Sequence, residues 1–258
     1  MHVTTHASIS VNASSEERVT LGGLVPRATK HSGMHDIHGE RSAGWSGLAF
    51  VVVLIASIFT GGMGPQDPTQ QLAGTLEYVQ AHRTGLLIST WLGFPGFAFF
   101  LWFVVGMRAF LLQTRDPDEG LPAYALVSGT LAALLALLGS AALGLLLLYR
   151  LAPEATAILL VASQALQGPF IYMALSPFML ACGHSMRRHG TGPAWFAYLG
   201  YLGGVLTAIA TLTILMAAGR PYSMDNGFSL LAFVVFVVWT IAASVQLIRN
   251  RVQTAVAP

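Results

Sequence analysis

The sequence predicts an all-α polytopic membrane protein: a six-transmembrane-helix bundle with both termini cytoplasmic. Composition is the first reason. Of 258 residues only 9% are charged and 54% are hydrophobic, with a mean hydropathy of +0.64, whereas soluble domains carry roughly 25% charged residues. The second reason is a set of six apolar stretches, Trp45 to Met63, Gly85 to Leu112, Ala123 to Tyr149, Ala155 to Cys182, Ala194 to Ala218 and Phe228 to Ile248. Each reaches the length of about 20 residues that a helix needs to cross a hydrocarbon core roughly 30 Å thick. The third is the placement of arginine. With the N-terminus inside, Arg108 and Arg115, then Arg187 and Arg188, occupy the inner loops, and Arg249 and Arg251 the inner tail. Arg83, Arg150 and Arg220 fall outside, and such a bias marks the cytoplasmic side. The membrane expected is the cell inner membrane.

Residues 1–44 mix Ser, Thr, His, Gly and charges of both signs without apolar periodicity, which predicts a disordered cytoplasmic tail. His31, His35 and His38 stand at i, i+4 and i+7, a spacing that aligns imidazoles on a helix. Gly33, Gly39 and the lack of an apolar face oppose that helix, so no metal site is expected. Met34 offers an alternative translation start close to the first span. Residues 45–248 form the transmembrane domain, and 249–258 a short cytoplasmic tail.

The first outer loop opens with Pro65 and Pro68, then turns helical, with Leu72, Leu76 and Val79 near helical spacing. That segment is expected on the membrane surface or as an outward extension of the second span. In the second span Pro95 lies between Gly93 and Gly96, and in the fourth Pro169 follows Gly168, so both carry kink sites. The fifth carries Gly200, Gly204 and Ala208 at four-residue intervals, a small-residue face for close helix contact within the bundle, with dimerisation as the alternative.

The fourth span is the polar one. Gln164, Gly168, Tyr172 and Ser176 share one face of a regular helix, with Ser163 and Gln167 beside it. Uncompensated polar groups cost several kcal/mol each in hydrocarbon, so this face should meet other helices or a small wet cavity. Gln164, Gln167, Tyr172 and Ser176 are therefore the candidate contacts to a buried ligand; interhelical hydrogen bonding is the competing role.

A second set gathers at the outer surface: Asp67, Glu77, His82, Arg83, Arg150, Glu154, Arg220 and Asp225. Among them Glu77, His82, Arg83 and Arg150 are the candidate polar cluster, with arginine suited to a phosphate or carboxylate and Glu77 or His82 to proton transfer. Weak interfacial ion pairs are the plainer reading. On the inside, His184, Arg187, Arg188 and His189 suit anchoring to anionic lipid heads. Trp195 reads as an interfacial anchor, while Trp91, Trp102 and Trp239 add aromatic surface. The lone Cys182 excludes an intramolecular disulfide and reads as a small apolar residue.

Several function classes find no support. No carboxylate, lysine or histidine lies near the centre of a span, so a proton relay or ion pathway lacks its usual groups. His82 and His184 lie at opposite ends and cannot share a haem iron. The chain has no zinc-protease, phosphate-loop or nucleophile-elbow motif. A formal charge of +2 gives no case for nucleic acid. No cofactor is expected; the expected partners are membrane lipids, an apolar small molecule or another membrane protein.

The stretch TLEYVQAHRTGLLISTWLGFPGFAFFLWFVVGMRAFL resembles the second-helix region of a broad set of uncharacterised actinobacterial six-helix membrane proteins. GTGPAWFAYLGYLGGVLTAIATL is similar to their fifth-helix entry, with Ala194 between Pro193 and Trp195. The resemblance spans roughly residues 45–250 and implies six helices, without implying an activity. Three functions stay open: a non-catalytic binder of a lipid or apolar small molecule, or accessory subunit, using the fourth helix; a small transporter gated at the proline kinks of helices two and four; and an enzyme acting on a lipid-like substrate at the outer surface.

Overall fold

Hydrocarbon offers no partner to a backbone N–H or C=O, so an apolar stretch of this length must satisfy its polar groups within its own helix. The computed structural model describes residues 36–61, 72–113, 120–149, 151–190, 192–216 and 227–254. Their elements are α1 (Asp36–Gly61), α2 (Leu72–Ala81), α3 (Arg83–Leu111), α4 (Gly120–Leu148), α5 (Pro153–Ala165), a π turn (Leu166–Phe170), α6 (Ile171–His189), α7 (Ala194–Met216) and α8 (Gly227–Thr254). Among the described residues, six segments are long and apolar enough to cross a membrane: Arg41–Gly61, Arg83–Leu111, Gly120–Leu148, Glu154–His189, Ala194–Leu212 and Phe228–Arg249. This is the architecture of a multi-pass membrane protein.

The spans form a closed ring. α1 packs on α3, α3 on α4, α4 on α6, α6 on α7, α7 on α8, and α8 returns to α1. The start of α1 lies beside the end of α8, with Gly44 against Ser244 and Ile248. One end of the bundle therefore holds Arg41, Arg108, Arg187, Arg188 and Arg249, and the other holds Glu77, Arg83 and Glu154.

The first helix begins earlier than sequence patterning indicates. Residues 36–44, assigned above to the tail, are helical, and Ala43 is buried where Gly106 of α3 leaves no side chain. Docking between α3 and α8 thus compensates for the polar composition of this turn. His31, His35 and Met34 lie outside the described residues; His38 falls within α1.

Trp239, fully buried on α8, anchors the core. Phe103 and Phe178 meet it edge-on at centroid distances of 6.3 and 5.5 Å, and Phe196 stacks on it at 5.8 Å. Phe100 extends the cluster to Phe50 at 4.9 Å and to Phe236 at 6.1 Å. Aromatic pairs add about 0.5–1.5 kcal/mol each beyond the area they bury. The α4 wall supplies small residues instead: Ala125, Gly129, Ala132 and Ala133 are buried, and Gly129 receives Val104 and Phe178.

Lipid tails are as apolar as the helices, so close packing has to hold the bundle together. Gly200 and Gly204, the small-residue face read from the sequence, lie against α6 within the same chain. A Cβ on Gly200 would sit 3.2 Å from the Met179 carbonyl oxygen, and one on Gly204 3.1 Å from that of Ser176. Gly183 completes the seam, since a Cβ there would lie 2.8 Å from the Ala197 carbonyl. Cys182 is buried beside it as an apolar filler.

A separate apolar cluster forms at the Arg83 end. Val79, Leu146, Leu147 and Leu160 join α2, α4 and α5, with Leu86, Leu87, Leu143 and Leu159 around them. α2 thus extends α3 outward, interrupted only at His82.

Gly183→Val should force α6 and α7 apart at a rigid backbone contact and lower stability by about 1–3 kcal/mol. Gly144→Ala, whose nearest neighbour would stand at 3.5 Å, should leave the melting temperature in detergent almost unchanged. Equal melting of the two variants would contradict the seam.

Candidate functional site

Proline has no N–H, so Pro169 leaves the Ala165 carbonyl without its α-helical partner, and its ring crowds that oxygen. A π turn answers both problems, because it offers the carbonyl the next N–H, that of Phe170, and widens the helix locally. The turn occupies Leu166–Phe170. It inserts the equivalent of one residue, so the buried face does not run straight through the span.

The candidate stripe is divided as a result. Gly168, Tyr172 and Ser176 keep one buried line. Above the turn that line continues through Ser163 and Leu160, both buried, and Gln164 is displaced to a half-buried flank. Gln167 is exposed at its tip, while its stem packs at Gly139 of α4. The four candidates therefore do not converge on one cavity.

Their bonding divides in the same way. The Ser176 hydroxyl donates to the Gly204 carbonyl at 2.8 Å, and the Tyr172 hydroxyl to the Ser229 carbonyl at 3.3 Å. Both tie α6 to its neighbours, as interhelical hydrogen bonds do in membranes. Ser163 bonds Leu160 within its own helix at 2.8 Å. Among the described residues, nothing bonds the Gln164 amide.

Gln164 borders a feature that apolar periodicity alone does not reveal. Ser163, Leu166 and Gln167 face Gly139 on α4. On the opposite side of α5, Ala157, Ile158, Val161, Ala162 and Ala165 line an open-sided apolar groove of about 440 Å³. Gln164 follows Val161 by three residues and Ala157 by seven, which places it beside that face of the helix. α7 packs along α6 and reaches the π turn, whereas α5 packs on α4. The sequence signal for the groove is alanine at 157, 162 and 165 around two β-branched residues, a pattern indistinguishable from lipid-facing helix without the break.

At the Arg83 end the groups are engaged locally. Arg83 donates from Nε and one terminal nitrogen to the Leu147 carbonyl at 3.0 and 2.7 Å, closing the C-terminal end of α4. His82 Nδ1 donates to the Tyr78 carbonyl at 3.1 Å, and its ring stacks on Tyr78 at 4.2 Å. Glu77 is exposed on α2, and Arg150 lies outside the described residues, as do Asp67, Arg220 and Asp225. Arg83 thus serves a helix end.

Three buried polar atoms, Ser229 Oγ, Trp239 Nε1 and Ser244 Oγ, have no hydrogen-bond partner among the described residues. Trp239 Nε1 faces Gly200, and Ser244 Oγ faces Gly47. These two sit in close-packed helix seams. No group of three or more His, Cys, Asp or Glu side chains suited to a metal occurs among the described residues. Comparison of the chain with protein-family models, curated proteins and solved structures finds no match.

Arg83→Gln should unfasten the end of α4. Hydrogen exchange is expected to quicken at residues 145–149 while the amides around Gly129 keep their protection; unchanged exchange at the α4 end would remove the capping role.

Proposed function

We propose that this chain is a non-catalytic membrane binder that holds a lipid or apolar small molecule against the broken fourth span. The observation that supports it is the unbonded, half-buried Gln164 beside the apolar groove face of α5. An apolar helix face with one hydrogen-bonding group beside it suits an amphiphilic ligand. Tyr172 and Ser176 fix the floor by tying α6 to α8 and α7, so the upper half of the span carries the recognition. An accessory role, with a partner's helix in the groove, uses the same surface.

The carboxylate–histidine–arginine chemistry needed for an enzyme at the Arg83 end gains no support from side chains already bonded to backbone carbonyls. Gating at the prolines has a structural correlate in the fourth span alone: Pro169 sits in a π turn, while Pro95 lies within the continuous helix α3.

The test is native mass spectrometry of protein extracted gently from its own membrane. The parent should retain a reproducible apolar adduct. Gln164→Leu should reduce its occupancy roughly tenfold, the equivalent of a hydrogen bond of about 1.4 kcal/mol. Gln167→Leu should matter less. Retention unaffected by Gln164→Leu in a protein that inserts normally would sink this reading.

A further inference from the structure

The other end of the fourth span carries a differently built surface. α6 and α7 run antiparallel along their glycine seam, and on one flank two side-chain pairs lie in register. His184 Nδ1 meets the Tyr201 hydroxyl at 3.0 Å, and one turn on, Arg187 donates to the Tyr198 hydroxyl at 2.6 Å. The Arg187 guanidinium also lies over the Tyr198 ring, 4.9 Å from its centroid. His184, Arg187 and Tyr198 are exposed. We infer that this flank is a binding site for the phosphate group of an anionic phospholipid.

Arg187 has the stronger case. A cation in the last turn of a helix ordinarily complements the helix dipole by turning back toward the terminal carbonyls. Here the guanidinium turns sideways onto the neighbouring helix, where one hydroxyl and one ring face hold it. Among the described side chains no carboxylate pairs with it, since Glu77 and Glu154 both lie at the opposite end of the bundle. A guanidinium has five donors, and the Tyr198 hydroxyl takes one, so a planar fork remains for phosphate oxygens. When the Tyr201 hydroxyl donates to Nδ1, His184 presents Nε2–H as a further donor about one helical turn away.

Position decides for a lipid over a soluble anion. Trp45, Trp195 and Tyr198, all exposed, mark an aromatic belt at this end, and Trp102 joins it through a 3.0 Å bond to Ser42. Tryptophan and tyrosine collect at the headgroup level of a bilayer. A phosphate held between Arg187 and His184 at that level would leave its acyl chains free to run along the apolar surface of α6 and α7, including Leu202 and Val205, both exposed.

The experiment reconstitutes the full chain in phosphatidylcholine vesicles containing phosphatidylglycerol. Retained lipids are then counted by native mass spectrometry after gentle extraction of monodisperse protein. The parent should enrich phosphatidylglycerol over its share in the vesicle. Arg187→Gln should cut that enrichment about fivefold, the worth of one arginine at an anionic surface. Arg249→Gln, at the same end on α8, should leave it nearly intact. Should Arg187→Gln fail to fold, Tyr198→Phe removes only the hydroxyl that holds the guanidinium and should weaken enrichment. Three results would overturn the site: no enrichment by the parent, equal losses for Arg187→Gln and Arg249→Gln, or displacement of the lipid by an equal amount of inorganic phosphate. The last would reassign the flank to a soluble anion.

Discussion

Backbone hydrogen bonding in hydrocarbon tolerates few exceptions, and Pro169 is one placed near the middle of the span Glu154–His189. Without an N–H at this position the α-helical pattern cannot pass, and the wider π turn carries the chain across with its carbonyls served. The consequence is a change of phase. Below the turn the buried face of α6 is committed to α4, α7 and α8; above it α5 is committed to α4, and its opposite face bears the groove.

The two halves of the bundle are then held by different means. Around Trp239, aromatic rings from α1, α3, α6, α7 and α8 interlock against an α4 wall of alanine and glycine, and the α6–α7 backbones approach until a methyl group would not fit at Gly183. At the Arg83 end a smaller leucine cluster and an arginine-capped helix end link α2, α3, α4 and α5. The proposed binding face lies in the half held by the smaller cluster. The arginine-rich end adds a surface on which the Arg187 guanidinium is held by Tyr198.

Much of this architecture was legible in residue patterns. The six spans follow from apolar length, α2 from Leu72, Leu76 and Val79, and the α6–α7 seam from Gly200 and Gly204. The helical turn at residues 36–44 was not, because its polar composition hides a docking that depends on Gly106 of a distant helix. The candidate face Gln164–Gly168–Tyr172–Ser176 was legible only from Gly168 onward. A wheel of 3.6 residues per turn assumes an unbroken helix, and the response to Pro169, a kink or a π turn, depends on neighbours that sequence spacing does not specify. The pairing of His184 with Tyr201 and Arg187 with Tyr198 likewise requires the register between two helices, which periodicity within each leaves open.

The central claim is the phase change in the fourth span, and oxygen accessibility of spin labels placed singly along residues 155–182 measures it directly. The structure predicts maxima at Ile158 and Val161, then at Gln167, Phe170 and Met173, with minima at Ser163, Gly168 and Tyr172. A single uninterrupted period that carries the maxima from Ile158 and Val161 on to Gly168 and Tyr172 would contradict the π turn and the groove-bearing α5 built upon it.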